Sequence, residues 1–194
     1  PSGRCNPRGK PVLKPRSGKL EGKLYCGRNP RGIRRGIIQG ETGSGKSVVI
    51  GYLTKCAVER NSRVLILADR RRLVKQLGGT LESFGVRYGV IMSGETGATR
   101  ESVILASRDT LAAWTKRPGF EMPTFNLILI DEAHKSMGDT YRQILANYPA
   151  AAVIGFTATP ARNDGKSLDS FFQWLECTVP ASQLIAEGFL IKPE

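Results

Sequence analysis

Eight residues, Gly40-Glu41-Thr42-Gly43-Ser44-Gly45-Lys46-Ser47, constrain this chain more than any others. They fit the spacing G-x-x-x-x-G-K-[ST], with Gly40, Gly45, Lys46 and Ser47 at the fixed positions. Ile37-Ile38 precedes them as a short apolar strand, and a helical pattern comes after. Glycines let such a loop curl until successive N–H groups point at one centre. The helix behind it adds the positive end of its dipole. Phosphate oxygens suit that cradle, with Lys46 facing the β- and γ-phosphates and the Ser47 hydroxyl ligating magnesium. ATP and Mg2+ are therefore the expected cofactors, bound over Gly40 to Ser47. The competing reading is a glycine-rich turn carrying an exposed lysine.

A second feature lies downstream. Leu127-Ile128-Leu129-Ile130 is apolar throughout and bounded by polar residues, the pattern of a strand buried on both faces of a parallel sheet. Asp131-Glu132 comes directly after it, and in open α/β sheets ligands lie at the carboxyl ends of strands. Both carboxylates thus reach the end of the sheet where the phosphate loop sits. Asp131 is the expected second magnesium ligand, and Glu132 the group that orients and activates water. With Lys46 they form the candidate catalytic set. Without the phosphate loop, the pair would read as a solubilising strand end.

The rest of the chain alternates strand and helix patterns, which predicts one α/β domain. Strands are expected near 35–39, 63–68, 86–92, 102–106, 126–130 and 152–157. Helices are expected near 45–60, 70–83, 108–115, 139–147 and 181–187. Val48, Val49, Tyr52, Leu53 and Cys56 recur at helical spacing and are expected to face the sheet. Trp114 and Trp174 suit either base stacking or core packing.

Charge divides the chain in two. Of 29 Lys+Arg, eleven fall in residues 1–35 against the single acid Glu21, so that stretch carries +10 of the net +12. Residues 1–32, rich in Pro and Gly, read as a disordered basic arm, either a phosphate-binding one or a solvated tail. Residues 33–194 are expected to form the folded lobe. The chain has one histidine, His134, and its four cysteines show no C-x-x-C spacing, which argues against zinc. Scattered thiols suit a reducing, intracellular compartment. No apolar run is long enough to span a membrane, so a soluble protein is expected.

Taken in order, these elements and the runs around them resemble the first RecA-like lobe of a DEAH-type superfamily 2 helicase or translocase. Asp131-Glu132-Ala133-His134 supplies the box itself. Val64-Leu65-Ile66-Leu67-Ala68-Asp69-Arg70-Arg71-Arg72-Leu73 is similar to motif Ia of that family, and Val103-Ile104-Leu105-Ala106-Ser107-Arg108-Asp109-Thr110-Leu111 to the segment that touches the nucleic-acid backbone. Gly155-Phe156-Thr157-Ala158-Thr159-Pro160-Ala161-Arg162 is similar to motif III of the restriction-motor and excision-repair branch. The resemblance implies a RecA-like P-loop NTPase lobe, a mainly parallel sheet flanked by helices, that hydrolyses ATP to move on nucleic acid. It makes His134, Thr157 and Thr159 coupling residues, and Arg70 and Ser107 nucleic-acid contacts. Hydroxyls suit a relay because they exchange hydrogen-bond partners without changing charge. Alternatively, the threonines are simple turn residues before Pro160.

RNA-directed relatives usually carry Ser-Ala-Thr at motif III and a Pro-Arg-Arg-type motif Ia. Thr157-Ala158-Thr159-Pro160, Asp69-Arg70-Arg71-Arg72 and the run Val179 to Leu190 look instead like the restriction and repair branch. Duplex DNA is therefore the expected partner in preference to RNA. Residues 1–32 contain no match to the family's adenine-reading Arg-x-Tyr-Gln element. Asp69 stands where Pro or His is usual, placing a negative charge beside a phosphate track. The resemblance also implies a second RecA-like lobe, bearing an arginine finger, which residues 33–194 do not contain. A nucleotide-gated binding module with negligible turnover, or an RNA-directed lobe, are the alternatives.

Overall fold

Apolar runs with no polar face need cover on both sides, and in this chain they form the middle layer of a three-layer fold. The computed structural model describes residues 34–40, 44–95, 100–121, 123–135, 139–159 and 171–177. The elements are β1 (Arg35–Gln39), α1 (Lys46–Val58), β2 (Val64–Ala68), α2 (Arg71–Ser83), β3 (Gly89–Ile91), β4 (Val103–Ser107), α3 (Arg108–Trp114), β5 (Leu127–Ile130), α4 (Asp139–Ala146), β6 (Ala152–Thr157) and β7 (Trp174–Cys177). A single 3₁₀ turn, Ala133–Lys135, lies between β5 and α4. The strands form one sheet in the order β3-β4-β2-β5-β6-β1-β7, and every pairing is parallel.

The pleat sends alternate residues of each strand to opposite faces. Leu65 and Leu67 of β2, with Ile128 and Ile130 of β5, pack under α3 and α4 through Leu111, Tyr141, Ile144 and Leu145. Val64 and Ile66, with Leu129 and Phe156, pack under α1 and α2 through Ile50, Leu53, Val74, Leu77 and Leu81. Each fully buried Leu or Ile side chain is worth about 1.5–3 kcal/mol relative to exposure. Two such cores, one on each face, make the sheet rigid enough to aim the loops and turns at its strand ends.

The register then aligns the carboxyl ends. Gln39 lies opposite Thr157, Ala68 opposite Ser107, and Leu67 opposite Ile130. The segments after β1, β2, β4, β5 and β6 therefore share one edge.

The expected strands and the first four expected helices are present, with ends shifted by up to three residues. One helix face differs from expectation. Val48 and Tyr52 of α1 are 56% and 51% exposed, while Ile50, Leu53, Thr54 and Ala57 are buried. The true stripe has the same helical spacing, displaced around the axis. Gly51 also sets it: a Cβ there would lie 2.6 Å from the Phe84 ring, so α1 and α2 approach through a position that only glycine leaves open. β7 has no counterpart among the expected strands; it pairs with β1 at the edge of the sheet. The basic segment 1–32, the helix expected at 181–187 and the run 179–190 lie outside the described residues.

Candidate functional site

Gly45 ends the glycine-rich loop with φ +80°, a left-handed conformation that glycine adopts without strain, and α1 begins at the next residue. No side chain caps this helix and no acid lies in its first turn, so the first-turn N–H groups and the dipole are left to an anion. Lys46 Nζ donates to the Gly40 carbonyl at 2.9 Å across the mouth of the loop. The Ser44 hydroxyl is buried with no hydrogen-bond partner. A buried donor held without an acceptor is unfavourable alone and suits a phosphate oxygen. Ser47 is half-buried in the first turn of α1. Glu41, Thr42 and Gly43 lie outside the described residues.

Across the edge, Asp131 is 6% exposed and its backbone N–H donates to the Leu67 carbonyl. Its Oδ1 accepts the Glu132 N–H at 3.1 Å. Glu132 has φ +53°, left-handed for a residue with a Cβ, a conformation that costs on the order of 1–3 kcal/mol. The turn lets the half-buried Glu132 reach His134, whose Nδ1 lies 3.1 Å from Glu132 Oε2.

That same nitrogen lies 3.1 Å from Thr157 Oγ1. The Thr157 hydroxyl already donates to the Thr159 carbonyl at 3.0 Å and accepts the Thr159 N–H at 3.1 Å. With its one proton committed, Thr157 can only accept from His134, and the Glu132 carboxylate can only accept as well. The proton is therefore on Nδ1. The Thr157 carbonyl accepts the Gly40 N–H at 2.9 Å, which closes a path from the phosphate loop through Thr157 and His134 to Glu132. Thr157 itself is fully buried.

Gly155 seats this arrangement from below. A Cβ at Gly155 would fall 2.6 Å from the Ala133 Cβ and 2.9 Å from Phe172 Cζ. The small residues at 133 and 155 let the acidic turn sit directly on β6. Sequence reasoning missed this role of Gly155 and Phe172, because neither carries chemistry of its own.

The neighbouring strand ends carry positive charge. Arg70, Arg71 and Arg72 are all exposed at the start of α2, which has no acid in its first turn. Arg71 donates to the Ser93 carbonyl. Ser107 precedes α3 but is 7% exposed, so of the two expected nucleic-acid contacts only Arg70 is open to solvent. Asp69, out of place beside a phosphate track, pairs with Arg108 at 3.1 Å. Arg108 also donates from Nε to Asp109 at 2.8 Å. The anomalous charge is thus neutralised by the residue after Ser107, which sequence reasoning did not single out. Trp114 packs against the core and edge-on to Phe120, with Arg117 over its ring at 5.1 Å. Trp174 lies in β7. Pro160, Ala161 and Arg162 lie outside the described residues. Among the described residues, no helix is long and apolar enough to cross a membrane.

Residues 15–162 match the family model described as "Type III restriction enzyme, res subunit". The chain is 30% identical over 139 residues to the 51.5 kDa protein of a Lactococcus phage (isolate 7-9), covering 72% of this chain and 27% of that protein. It is 30% identical over 175 residues to the type I restriction enzyme EcoAI endonuclease subunit of Escherichia coli, covering 82% of this chain and 21% of that protein. Among solved structures, the Hef helicase domain of Pyrococcus furiosus shares the fold at a TM-score of 0.65 and 22% identity, over 75% of this chain and 35% of that one. The chain thus spans about a quarter of the two curated relatives' length. On the family match it belongs to the type III restriction enzyme res-subunit family, with a RecA-like fold shared with the Hef helicase domain.

Proposed function

We propose that the lobe binds ATP with magnesium at Gly40 to Ser47 and hydrolyses it to drive movement on duplex DNA. The observation that carries this reading is the hydrogen-bonded path from Gly40 through Thr157 and His134 to Glu132. It ties the loop suited to phosphate to the carboxylate suited to activating water. Lys46 exchanges the Gly40 carbonyl for phosphate oxygens, and Ser44 finds in them the acceptor it lacks. Ser47 and Asp131 are the magnesium ligands in this reading, a set that fits a cation taking one or two protein ligands plus phosphate and water. The metal, when bound, neutralises charge developing between the β- and γ-phosphates. Glu132, held in its left-handed turn, orients the attacking water and accepts its proton.

Loss of the γ-phosphate changes what Glu132 and His134 face, and Thr157 passes that change to Thr159 and the strand ends. Exposed Arg70 and its neighbours supply phosphate contacts, which are sequence-indifferent and salt-dependent. Duplex DNA is favoured by the motif III and motif Ia residues and by the restriction-enzyme family match. A second RecA-like lobe, supplied from outside residues 33–194, completes the site with an arginine. Such a residue is worth about 10³–10⁵ in rate in P-loop NTPases.

Phosphate release by the full-length protein, measured with and without duplex DNA and duplex RNA, tests the proposal. Stimulation by duplex DNA is expected. Nucleotide binding without turnover would make the lobe a nucleotide-gated binding module, and stimulation by RNA alone would reassign the substrate.

A further inference from the structure

Two tyrosines on the α3–α4 face, Tyr141 and Tyr148, bury their hydroxyls with no hydrogen-bond partner. Their surroundings differ. Burial alone pushes the Tyr148 phenol above its ordinary pKa. At Tyr141 burial again comes first, but four charges also act on the hydroxyl: Arg108, Asp69, Asp131 and Asp109. The Arg108 guanidinium lies 5.5 Å from the centre of the Tyr141 ring, and the ring is fully buried. Asp69 follows β2, Arg108 opens α3, and Asp131 follows β5, while Tyr141 stands in the first turn of α4 just beyond the acidic box. Tyr141 therefore lies beside Arg108, which itself pairs with Asp69, and within the electrostatic field of the acidic turn.

The Arg108–Asp69 pair is the part of this cluster that a passing phosphate would disturb. Arg108 is 24% exposed and Asp69 14%, so a phosphate drawing on the guanidinium leaves a mostly buried carboxylate with one donor fewer. A protonated hydroxyl without a partner is the natural replacement. A tyrosine phenol is protonated at neutral pH and burial pushes its pKa further up, so Tyr141 stays a donor.

We infer that Tyr141 is a positioning residue that couples the two sides of the sheet edge: when a nucleic-acid phosphate draws Arg108 from Asp69, the Tyr141 hydroxyl donates to Asp69, and the adjustment of α4 passes to Asp131 and Glu132. This rests on the proposed function and adds the residue through which nucleic acid reaches the hydrolytic carboxylates. α4 packs on α3, so a change at Arg108 and one at Tyr141 are mechanically linked.

The test compares Tyr141→Phe with Tyr148→Phe in the full-length protein, reading melting temperature, basal phosphate release and the stimulation ratio with duplex DNA. Tyr141→Phe removes only an unpartnered hydroxyl, so its melting temperature and basal rate are expected to hold. Its stimulation ratio is expected to fall about tenfold, within the 5–150-fold range of one allosteric coupling. Tyr148→Phe is expected to change none of the three. An unchanged ratio in Tyr141→Phe overturns the inference, as does an equal loss in Tyr148→Phe. A lower melting temperature and basal rate at an unchanged ratio also overturns it, because that is a purely structural role. If the unaltered protein shows no stimulation by nucleic acid, the proposed function itself fails and this inference with it.

Discussion

Glu132 and Arg72 lie on the same edge of one sheet, and they are held in opposite ways. Glu132 is fixed by a left-handed backbone turn and a contact to His134, over a residue pair, Ala133 and Gly155, with no room to move. Arg72 is exposed and has no hydrogen bond or ion pair among the described residues. It also sits at the positive end of a helix, where a cation costs about 0.3–1 kcal/mol. Chemistry on a phosphate needs groups placed within a fraction of an ångström. Gripping a polyanion that must slide needs charge without a fixed partner. Under the proposed function the two sides serve different tasks, and substitutions on them should behave accordingly.

The largest expected effect is on the fixed side. Glu132→Gln keeps the shape and the acceptor facing His134 but removes the base. ATP affinity should stay within a factor of about two while turnover falls on the order of 10²–10⁴-fold. Parallel loss of affinity and turnover in equilibrium binding and phosphate-release assays would move Glu132 into the metal shell.

Next comes the seat of the acidic turn. Gly155→Ala pushes a methyl group into Ala133 and Phe172, both fully buried, and overpacking of that kind costs about 1–3 kcal/mol. Denaturant unfolding should show that loss, with turnover falling along with it. A variant of unchanged stability and rate would mean that the fixed side is looser than the contacts indicate.

The smallest effect has the opposite sign. Arg72→Ala removes a cation from the positive end of α2, so stability should rise by about 0.3–1 kcal/mol. DNA affinity should fall and its salt dependence flatten by roughly one phosphate contact. Weaker binding together with lower stability would show that Arg72 is a structural residue, and the contrast with Glu132 would break.

Much of this is legible in the sequence because strands buried on both faces and glycine loops leave plain patterns. Leu127 to Ile130 admits few readings other than a central strand, and α2, with polar and apolar residues cleanly segregated, is placed almost to its ends. α1 is harder. Its Val48-Val49-Ile50 start is apolar around the axis, so spacing finds a helix but cannot choose its face, and Gly51 against Phe84 chooses it. The residues after β5 show a similar limit. Asp131 and Glu132 are readable as chemistry, but the left-handed turn at Glu132 and its contact to His134 depend on what Gly155 permits, a residue distant in the chain. Asp69 looks out of place only because its partner, Arg108, arrives just past the end of the neighbouring strand, at the start of α3. β7 is invisible because four residues, Trp174 to Cys177, hold no pattern that distinguishes a strand added to β1.

If the fixed side is an ATP–magnesium site, calorimetric titration of Mg–ATP into this chain and its Lys46→Ala variant should show it. Lys46 reaches across the loop mouth to Gly40, and charge-assisted hydrogen bonds of the kind it would make to phosphate are worth about 1.5–3 kcal/mol each. Saturable one-site binding by the unaltered chain is predicted, weakened on the order of a hundredfold in the variant without loss of folding. Equal affinity in both, or no binding in either, would mean that Gly40 to Ser47 do not hold ATP.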